Sequence, residues 1–252
     1  MNFIIQFFYI ILYKPLFNVL ILLYYYIHDF GLAVIILTIL IKILTHPLTV
    51  QGFKSQKRMA ELQPKIKAIQ SQYGSDVQKQ NQLLMELYRK EGFNPFSGCL
   101  PLLVQIPVLI ALYQVFLRVL SKESLDYLFY NFVPHIAIVQ PSFLWVLNIS
   151  NKIFVLALAL LTGATQFWQA KISANPAMPN TAKKGQGPEI STLLQKQMLY
   201  IFPGLAVLVV WRFGAVIGIY WVTSSLFSIL EQIIINRKYG KNNRIRTNKT
   251  DY

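Results

Sequence analysis

Long apolar segments alternate with short polar ones along this chain, and their lengths are the first guide to its fold. Residues 30–50, 97–119 and 152–170 are mostly apolar over about the 20 residues that a helix needs to cross a bilayer. Residues 198–236 are apolar over 39 positions. One helix of that length would measure about 58 Å, nearly twice the ~30 Å hydrocarbon core. We therefore expect two spans there, 198–212 and 214–236, with a turn near Arg212-Phe213-Gly214. The pattern predicts an all-α integral membrane protein with a core of five transmembrane helices.

The first 29 residues are apolar and aromatic but are interrupted by Pro15. A proline inside a helix removes a hydrogen bond and clashes with the preceding turn. We therefore predict that residues 1–29 form short interfacial helices on the extracytoplasmic side; one kinked membrane span is the alternative. A cleaved signal peptide does not fit, because Lys and Arg are absent before Lys14 and no small-residue cleavage site follows.

Residues 51–95 differ from the spans, since they hold eight Lys or Arg and four acidic residues. Two apolar runs flank a predicted turn at 73–76: Met59, Leu62, Ile66, Ile69 and Tyr73, then Val77, Leu84, Leu87 and Tyr88. Spacings of three and four put each run on one face of a helix. We predict a water-exposed helical hairpin that buries one stripe on the other, bends at Pro64 and ends at Gly92.

The other polar segments are predicted to be connections. Residues 120–151 form a mixed, aromatic-rich connection between spans. Residues 171–197 collect Asn, Pro, Gly, Ser and Lys, a composition typical of a mobile loop. Residues 237–252 form a basic tail.

Charge gives this arrangement an orientation. The net charge is +14, yet only 13% of the residues are charged. Segments 51–95, 171–196 and 237–249 hold eight, four and six Lys or Arg, whereas the segments on the opposite side hold five in all. Basic loops stay in the cytoplasm, so we predict an extracytoplasmic N-terminus and a cytoplasmic C-terminus. Because topology accounts for most of this basicity, no DNA partner is expected.

The chain lacks the usual patterns of an enzyme. It has one Cys and three widely separated His, which excludes a disulfide framework and gives no metal-ligand spacing. It has no phosphate-binding loop and no nucleophile constellation. We predict no catalytic residue, no metal, no cofactor and no small-molecule substrate.

Lys42 lies well inside the first span, where a cation costs about 2.5–3.5 kcal/mol. Thr38, one turn away, shares its face, so a polar stripe lining a wet cavity is the favoured interpretation. The alternative is snorkelling towards Gln51. We expect no acid in the spans to neutralise Lys42, since Glu231 lies near the inner end of the last span. An unpaired cation in a groove would attract an acidic guest.

Other polar residues of the spans have two interpretations. Gln105 and Gln166 are interhelical hydrogen-bond formers or groove residues. Tyr220 and Trp221 are interface aromatics or groove lining, and we favour the groove.

Short sequence motifs resemble those of the YidC-type (YidC/Oxa/Alb) membrane protein insertase family, over roughly residues 13–238. They are Asp29-Phe30-Gly31-Leu32, Thr38-Ile39-Leu40-Ile41-Lys42, Pro47-Leu48-Thr49, Glu61-Leu62-Gln63-Pro64-Lys65, Asn94-Pro95, Gly98-Cys99-Leu100-Pro101-Leu102-Leu103, Gln105-Ile106-Pro107 and Gly218-Ile219-Tyr220-Trp221-Val222-Thr223-Ser224.

The resemblance implies a hydrophilic groove that is open to cytoplasm and lipid and closed on the far side. Its residues would be Lys42, where the family usually has arginine, together with Gln166 and Trp221. Lysine keeps the charge but loses the planar fork of donors. From the 29 residues before the first span, we expect neither the large domain that some family members have there nor a lipoprotein cysteine.

The implied function is an insertase and chaperone that inserts nascent membrane proteins without ATP hydrolysis. Its hairpin would dock substrate or partner through Met59, Leu62, Lys65, Ile66, Ile69 and Tyr73. The implied partners are nascent membrane proteins, the ribosome, a Sec-type translocon and anionic lipid. The implied location is a bacterial plasma membrane, and an organelle-encoded protein is the alternative. Rival functions are a small-solute transporter or channel and a passive assembly scaffold.

Overall fold

A computed structural model describes the backbone of residues 3–74, 76–94, 100–120, 128–136, 139–144, 147–173 and 190–247. These residues are almost entirely helical, as the all-α prediction requires. The helices are α1 (Phe3–Phe8), α2 (Lys14–Ile27), α3 (Phe30–Gln72), α4 (Val77–Lys90), α5 (Leu100–Leu120), α6 (Lys152–Ser173), α7 (Ile190–Phe213) and α8 (Ala215–Thr247). Two short strands, β1 (Ser142–Phe143) and β2 (Leu147–Asn148), pair antiparallel with Ser142 opposite Asn148.

Helix length and composition can be compared with the predicted spans. Within the described residues, four helical segments are long and apolar enough to cross a membrane: Ile5–Ile27, Phe30–Gln72, Lys152–Ser173 and Ala215–Arg237. Two shorter apolar helices, Leu103–Val119 and Leu199–Phe213, correspond to the other two predicted spans.

The N-terminal helix continues through Pro15, contrary to the predicted separation into short helices. A π-helical turn, Tyr9–Tyr13, joins α1 to α2, and Pro15 lies in the first turn of α2. Proline is tolerated in the first turn of a helix because its missing N–H is not required there. The segment ends at His28, which adopts a left-handed conformation with φ of 57°.

The predicted boundary at residue 50 is not a helix end. Asp29 caps α3, its Oδ1 accepting a hydrogen bond from Leu32 N at 2.8 Å, and the helix then runs for 43 residues with Pro47 and Pro64 inside it. At ~1.5 Å per residue α3 is about 65 Å long, twice the thickness of a bilayer core. The first helix of the predicted hairpin is therefore the continuation of the first predicted span. We call the end of the bundle nearest this hairpin the hairpin end, and the opposite one the far end.

Contacts between side chains give the direction of each helix relative to α8. The α5 residues Gln105 and Tyr113 contact Tyr220 and Phe213 respectively, so α5 and α8 run antiparallel. On α6, the side chain of Leu158 lies beside Gly218, and Gln232 donates to the carbonyl of Ile172 at 3.0 Å, so α6 and α8 run parallel.

The close packing of α6 against α7 depends on Gly163. A Cβ at this glycine would lie 2.6 Å from a methyl group of Val207. Phe167, one turn further, faces Tyr200 with ring centroids 6.0 Å apart, so α7 runs antiparallel to α6. The chain then reverses at Gly214, whose φ of 103° favours glycine, and this is where the predicted turn between the last two spans lies.

Two predicted connections are shorter than expected. α6 extends to Ser173 and α7 begins at Ile190, so the ends of the predicted loop 171–197 are helical, while 174–189 lie outside the described residues. α8 continues to Thr247, through most of the predicted tail, and 248–252 also lie outside the described residues.

The described parts of connection 120–151, namely 128–136, 139–144 and 147–151, lie at the far end of the bundle. The buried Asn18 of α2 donates from Nδ2 to the carbonyl of Leu128 at 2.9 Å, and its Oδ1 accepts from Tyr130 N at 2.8 Å. At the start of α3, a Cβ on Gly31 would lie 2.3 Å from the ring of Phe143 in β1. Since buried backbone groups need partners, the Asn18 amide ties this irregular segment to the helices, as does the Tyr24 hydroxyl, which accepts from Gln140 N at 2.9 Å.

Candidate functional site

A polar stripe runs along one face of the otherwise apolar helix α8. It consists of Tyr220, Ser224, Ser228 and Glu231, whose spacing of four, four and three puts them on the same side. All four side chains are at least nine-tenths buried. Polar groups are buried in an apolar bundle only at a cost, so their partners define what this face does.

At the hairpin end of the stripe, α3 and α8 share two polar contacts. The half-buried Lys42 donates from Nζ to Ser228 Oγ at 3.0 Å. His46, one turn further along α3, hydrogen-bonds through Nδ1 to Oε1 of Glu231. Since both contacts advance by one turn on each helix, α3 and α8 are parallel here. We call these four residues the polar seam.

The polar seam corrects the prediction that no acid is positioned near Lys42. Glu231 is buried on α8, one turn beyond Ser228, which accepts the hydrogen bond from Lys42. The physical reason is register: both helices run in the same direction, and both residues precede the hairpin end by a similar number of turns. Lys42 is nine residues before Gln51 and Glu231 six before Arg237, a similarity that the sequence contains.

At the far end of the stripe, Tyr220 joins α8 to α5. Gln105 donates from Nε2 to the Tyr220 hydroxyl, which also hydrogen-bonds with Ser224. Two of the predicted groove residues, Gln105 and Tyr220, are thus in contact with each other. Trp221 is half-buried and packs against the main apolar core.

Two further predicted groove residues use or bury their polar groups inside the bundle. Thr38 is buried and its hydroxyl donates to the Val34 carbonyl at 2.6 Å, within its own helix. Gln166 is buried on α6, one turn after Thr162, which faces Gly218. Thr38 therefore does not present its hydroxyl to an open cavity, because a threonine in a helix satisfies itself on the preceding turn.

Two buried polar atoms of α8 have no hydrogen-bond partner among the described residues. They are Oγ of Ser225 and Oε2 of Glu231. Leaving a buried polar group unpaired costs about 1–3 kcal/mol. The seam therefore retains a capacity to accept a hydrogen bond or a cation in the interior of the bundle.

Beyond the seam, α3 and α4 form a hairpin with its own small core. Leu62, Ile66 and Phe93 are buried in it. Around them pack Met59, Leu84, Leu87 and Tyr88. Partial burial raises the pKa of the Tyr88 hydroxyl. Leu62 and Ile66, predicted to dock partners, thus have their side chains occupied in holding the hairpin together.

The ends of the predicted apolar runs behave differently. Ile69 and Tyr73 are half-buried, and the Tyr73 ring lies 5.4 Å from Nζ of Lys79. Val77 is 62% exposed, because it immediately follows the helix cap Asp76 and lies in the turn that faces solvent. Phe93, which the prediction missed, takes its place in the core after Gly92, whose φ is 56°.

Glu91 fastens the end of α4 to α3. Lys65 donates to its Oε1 at 2.5 Å and Arg58 to its backbone carbonyl at 2.7 Å. The hydrogen bond from Lys65, with the charge of that lysine, lowers the pKa of the Glu91 carboxyl. Lys65 is therefore already engaged within the hairpin.

A cavity of about 720 Å³ lies between the hairpin and the hairpin ends of α6 and α8. The wall contributed by α3 and its neighbour carries Lys54, Lys57, Arg58 and Lys65 against Glu61 and Glu91. The opposite wall includes Ser173, Gln232, Ile235 and Asn236. Because Gln232 directly follows Glu231, this basic cavity, which we call the mouth, adjoins the polar seam.

Known proteins are similar to this chain over most of its length. A family model described as the 60Kd inner membrane protein matches residues 22–242. A membrane protein insertase YidC of Polynucleobacter necessarius is 33% identical over 231 residues, 92% of this chain and 36% of that protein. The same-named protein of Helicobacter pylori is 31% identical over 242 residues, 95% of this chain and 39% of that protein.

A third relative is closer in length. The membrane protein insertase YidC of Fusobacterium nucleatum is 35% identical over 214 residues, which are 84% of this chain and 89% of that protein. The chain thus spans little more than a third of the first two relatives and most of the third.

Proposed function

Because the chain belongs to the 60Kd inner membrane protein family, we propose that it is a membrane protein insertase, as its relatives are named. It is a multi-pass inner membrane protein, and its substrates are nascent membrane proteins with a short segment to translocate. The observation that carries this function is the polar seam: a lysine and a glutamate inside an apolar bundle, adjoining a basic mouth.

The seam provides a polar route part of the way across the membrane. A charged or polar substrate residue in hydrocarbon loses its hydration at a large cost. Beside Lys42, Ser228 and Glu231 it would exchange water for fixed hydrogen-bond partners. The five-helix core acts as a groove that opens towards the cytoplasm through the mouth. Connection 120–151, tied down by Asn18, supports closure of the far side.

Capture begins at the hairpin. Since Leu62 and Ile66 are buried, docking falls to the basic wall of the mouth and to the exposed hairpin surface. Met59, Ile69 and Tyr73 remain only partly covered and are the apolar docking candidates. A basic surface would also rest on anionic lipid, at about 1 kcal/mol per cation.

Release into lipid completes insertion. The apolar substrate segment slides out into lipid past α6 and α8, the third and fifth of the predicted spans. Transfer of apolar surface into lipid, worth about 25 cal/mol per Å², drives the step without ATP hydrolysis. Gln166 and Trp221 are the proposed lining of this exit.

The orientation follows from charge. The contacts of α3, α6 and α8 as parallel helices, with α5 and α7 opposed to them, support a placement of the three polar segments, which hold 18 basic residues in the sequence, on one side of the membrane. We place that side in the cytoplasm, with the N-terminus outside. Its charge suits contact with the ribosome and a Sec-type translocon.

Reconstitution into liposomes tests the function. The substrate is a single-span protein with a short acidic tail, and protection of that tail from added protease measures insertion. We expect Lys42→Arg to retain insertion and Lys42→Ala to reduce it about tenfold, because the charge is lost. Lys152→Ala, which removes an exposed far-end cation, is the matched control.

The insertase proposal is refuted if the substrate tail is protected from protease no better with the intact protein than in liposomes without protein. A cysteine at position 42 separates a groove from a sealed scaffold. We expect it to react with membrane-impermeant thiol reagents from the cytoplasmic side, and complete protection would favour the scaffold.

A further inference from the structure

Glu231 is the buried charge whose effect on Lys42 the insertase proposal does not define. It lies on α8 with only 5% of its surface exposed, one turn from Ser228, which binds Lys42. One carboxylate oxygen is held by His46, and the other, Oε2, has no hydrogen-bond partner in the part of the chain that the structure describes. Glu231 therefore lies where an acidic substrate residue would have to approach Lys42.

We propose that Glu231 is the resident counter-charge of Lys42 and sets how strongly the groove prefers acidic over neutral substrate segments. This rests on the proposed insertase function. A guest carboxylate that approaches Lys42 must compete with Glu231 and also meets its repulsion, so the resident acid lowers the affinity for acidic guests. A neutral guest carries neither interaction and is much less affected.

The logic is that of a built-in competitor. A lone buried lysine would bind an acidic segment tightly and release it slowly, because a buried charge needs a partner. With Glu231 available, Lys42 keeps a counter-charge when the guest leaves. Glu231 therefore lowers the affinity of Lys42 for acidic substrate segments and speeds their release. An insertase needs this release in order to act repeatedly.

His46 acts as a positioning residue for Glu231. Its side chain is 51% exposed, whereas that of Glu231 is 3% exposed, so the imidazole holds the carboxylate from the more hydrated side. Removing this hydrogen bond frees Oε1 to turn towards Lys42. Loss of His46 should therefore change the preference in the direction opposite to loss of Glu231, a sign reversal that a merely structural role would not give.

The experiment measures a ratio. Two single-span substrates, identical except that Asp and Glu in the translocated tail are replaced by Asn and Gln, are presented together to proteoliposomes. We expect Glu231→Gln to raise the acidic-to-neutral insertion ratio about fivefold, at the lower end of the range usual for energetic coupling between two sites. His46→Gln should lower it, and Glu231→Gln should have no effect on the ratio in a Lys42→Gln background. Glu86→Gln, the same change at an exposed hairpin position, is the control.

A second readout needs no insertion. A photo-crosslinker at position 45, one turn from Lys42, reports capture of the two tails by protein in detergent. Glu231→Asp, which keeps the charge and the fold, should give a ratio between those of the intact protein and Glu231→Gln. An unchanged ratio in Glu231→Gln, in both assays, overturns the role of Glu231 while neutral substrate still inserts. If the intact protein inserts neither substrate, the insertase proposal fails instead, and the crosslinking ratio alone decides the inference.

Discussion

Two lysine–glutamate neighbourhoods of the same chain lie in different solvents. Lys65 and Glu91 meet at 2.5 Å on the hairpin surface, with their side chains 59% and 27% exposed. Inside the bundle, Lys42 donates to Ser228, and Glu231, one turn beyond Ser228, is held by His46. Water and salt weaken the first pair, whereas the second is screened little. The surface pair fastens a hairpin; the interior pair is available for function because its charges have few other partners.

Breaking the interior pair on one side should have the largest effect on stability. Lys42→Gln removes the cation nearest along the seam to the buried Glu231 carboxylate, which keeps its contact with His46, and removing one member of a buried charge arrangement costs about 3 kcal/mol. We expect a lower thermal unfolding temperature in detergent. The double variant Lys42→Gln with Glu231→Gln should recover most of the loss, since it leaves no buried charge. Equal destabilisation of the single and double variants would contradict this electrostatic coupling.

The hairpin core should be sensitive to a cavity. Leu62→Ala removes a fully packed side chain from a core of only three buried residues, at a cost of about 2 kcal/mol. Hydrogen exchange should accelerate in α4 and in the second half of α3, and leave α6 unchanged. Val77→Ala, an exposed apolar residue of the same hairpin, should have no such effect. Faster exchange throughout the bundle would show that the two regions do not unfold separately.

The surface pair should depend on pH and salt. Lys65 lowers the pKa of Glu91, so the contribution of the carboxylate to hairpin stability is present above its usual value of 4.5 and is lost as pH falls through the lowered value. We expect a small acceleration of amide exchange around residues 91–93 below that pH, and a similar one in high salt at neutral pH. Lys65→Gln should abolish both responses. An equal response in the α8 seam would contradict the contrast between the two pairs.

Sequence patterns identify the elements more securely than the contacts between them. The turn at Gly214 and the α3–α4 hairpin follow from local signals, namely span length, helical spacing and glycine. The length of α3 does not, because hydropathy changes at residue 50 while the helix continues. Helix ends require a stop signal, and the two prolines inside α3 do not supply one.

The polar seam illustrates what the sequence leaves open. Lys42 is recognisable alone, because a cation in an apolar span is costly. Its relation to Ser228 and Glu231 depends on the packing register of two helices that are far apart in the chain. Asn18 was missed for the same reason, since its partners lie in an irregular segment more than a hundred residues away. Such partners require tertiary structure.

The continuity of α3 has a mechanical consequence. One continuous helix carries Lys42 near its first third and the hairpin contacts along its remainder, with about 45 Å of helical rise from Lys42 to its tip. A force applied to the hairpin therefore acts on the same helix as Lys42, but far from it. A tilt of about 5° displaces the tip by about 4 Å at that length, while the Lys42–Ser228 contact shifts far less. A large movement of the hairpin therefore corresponds to a small displacement at the Lys42–Ser228 hydrogen bond.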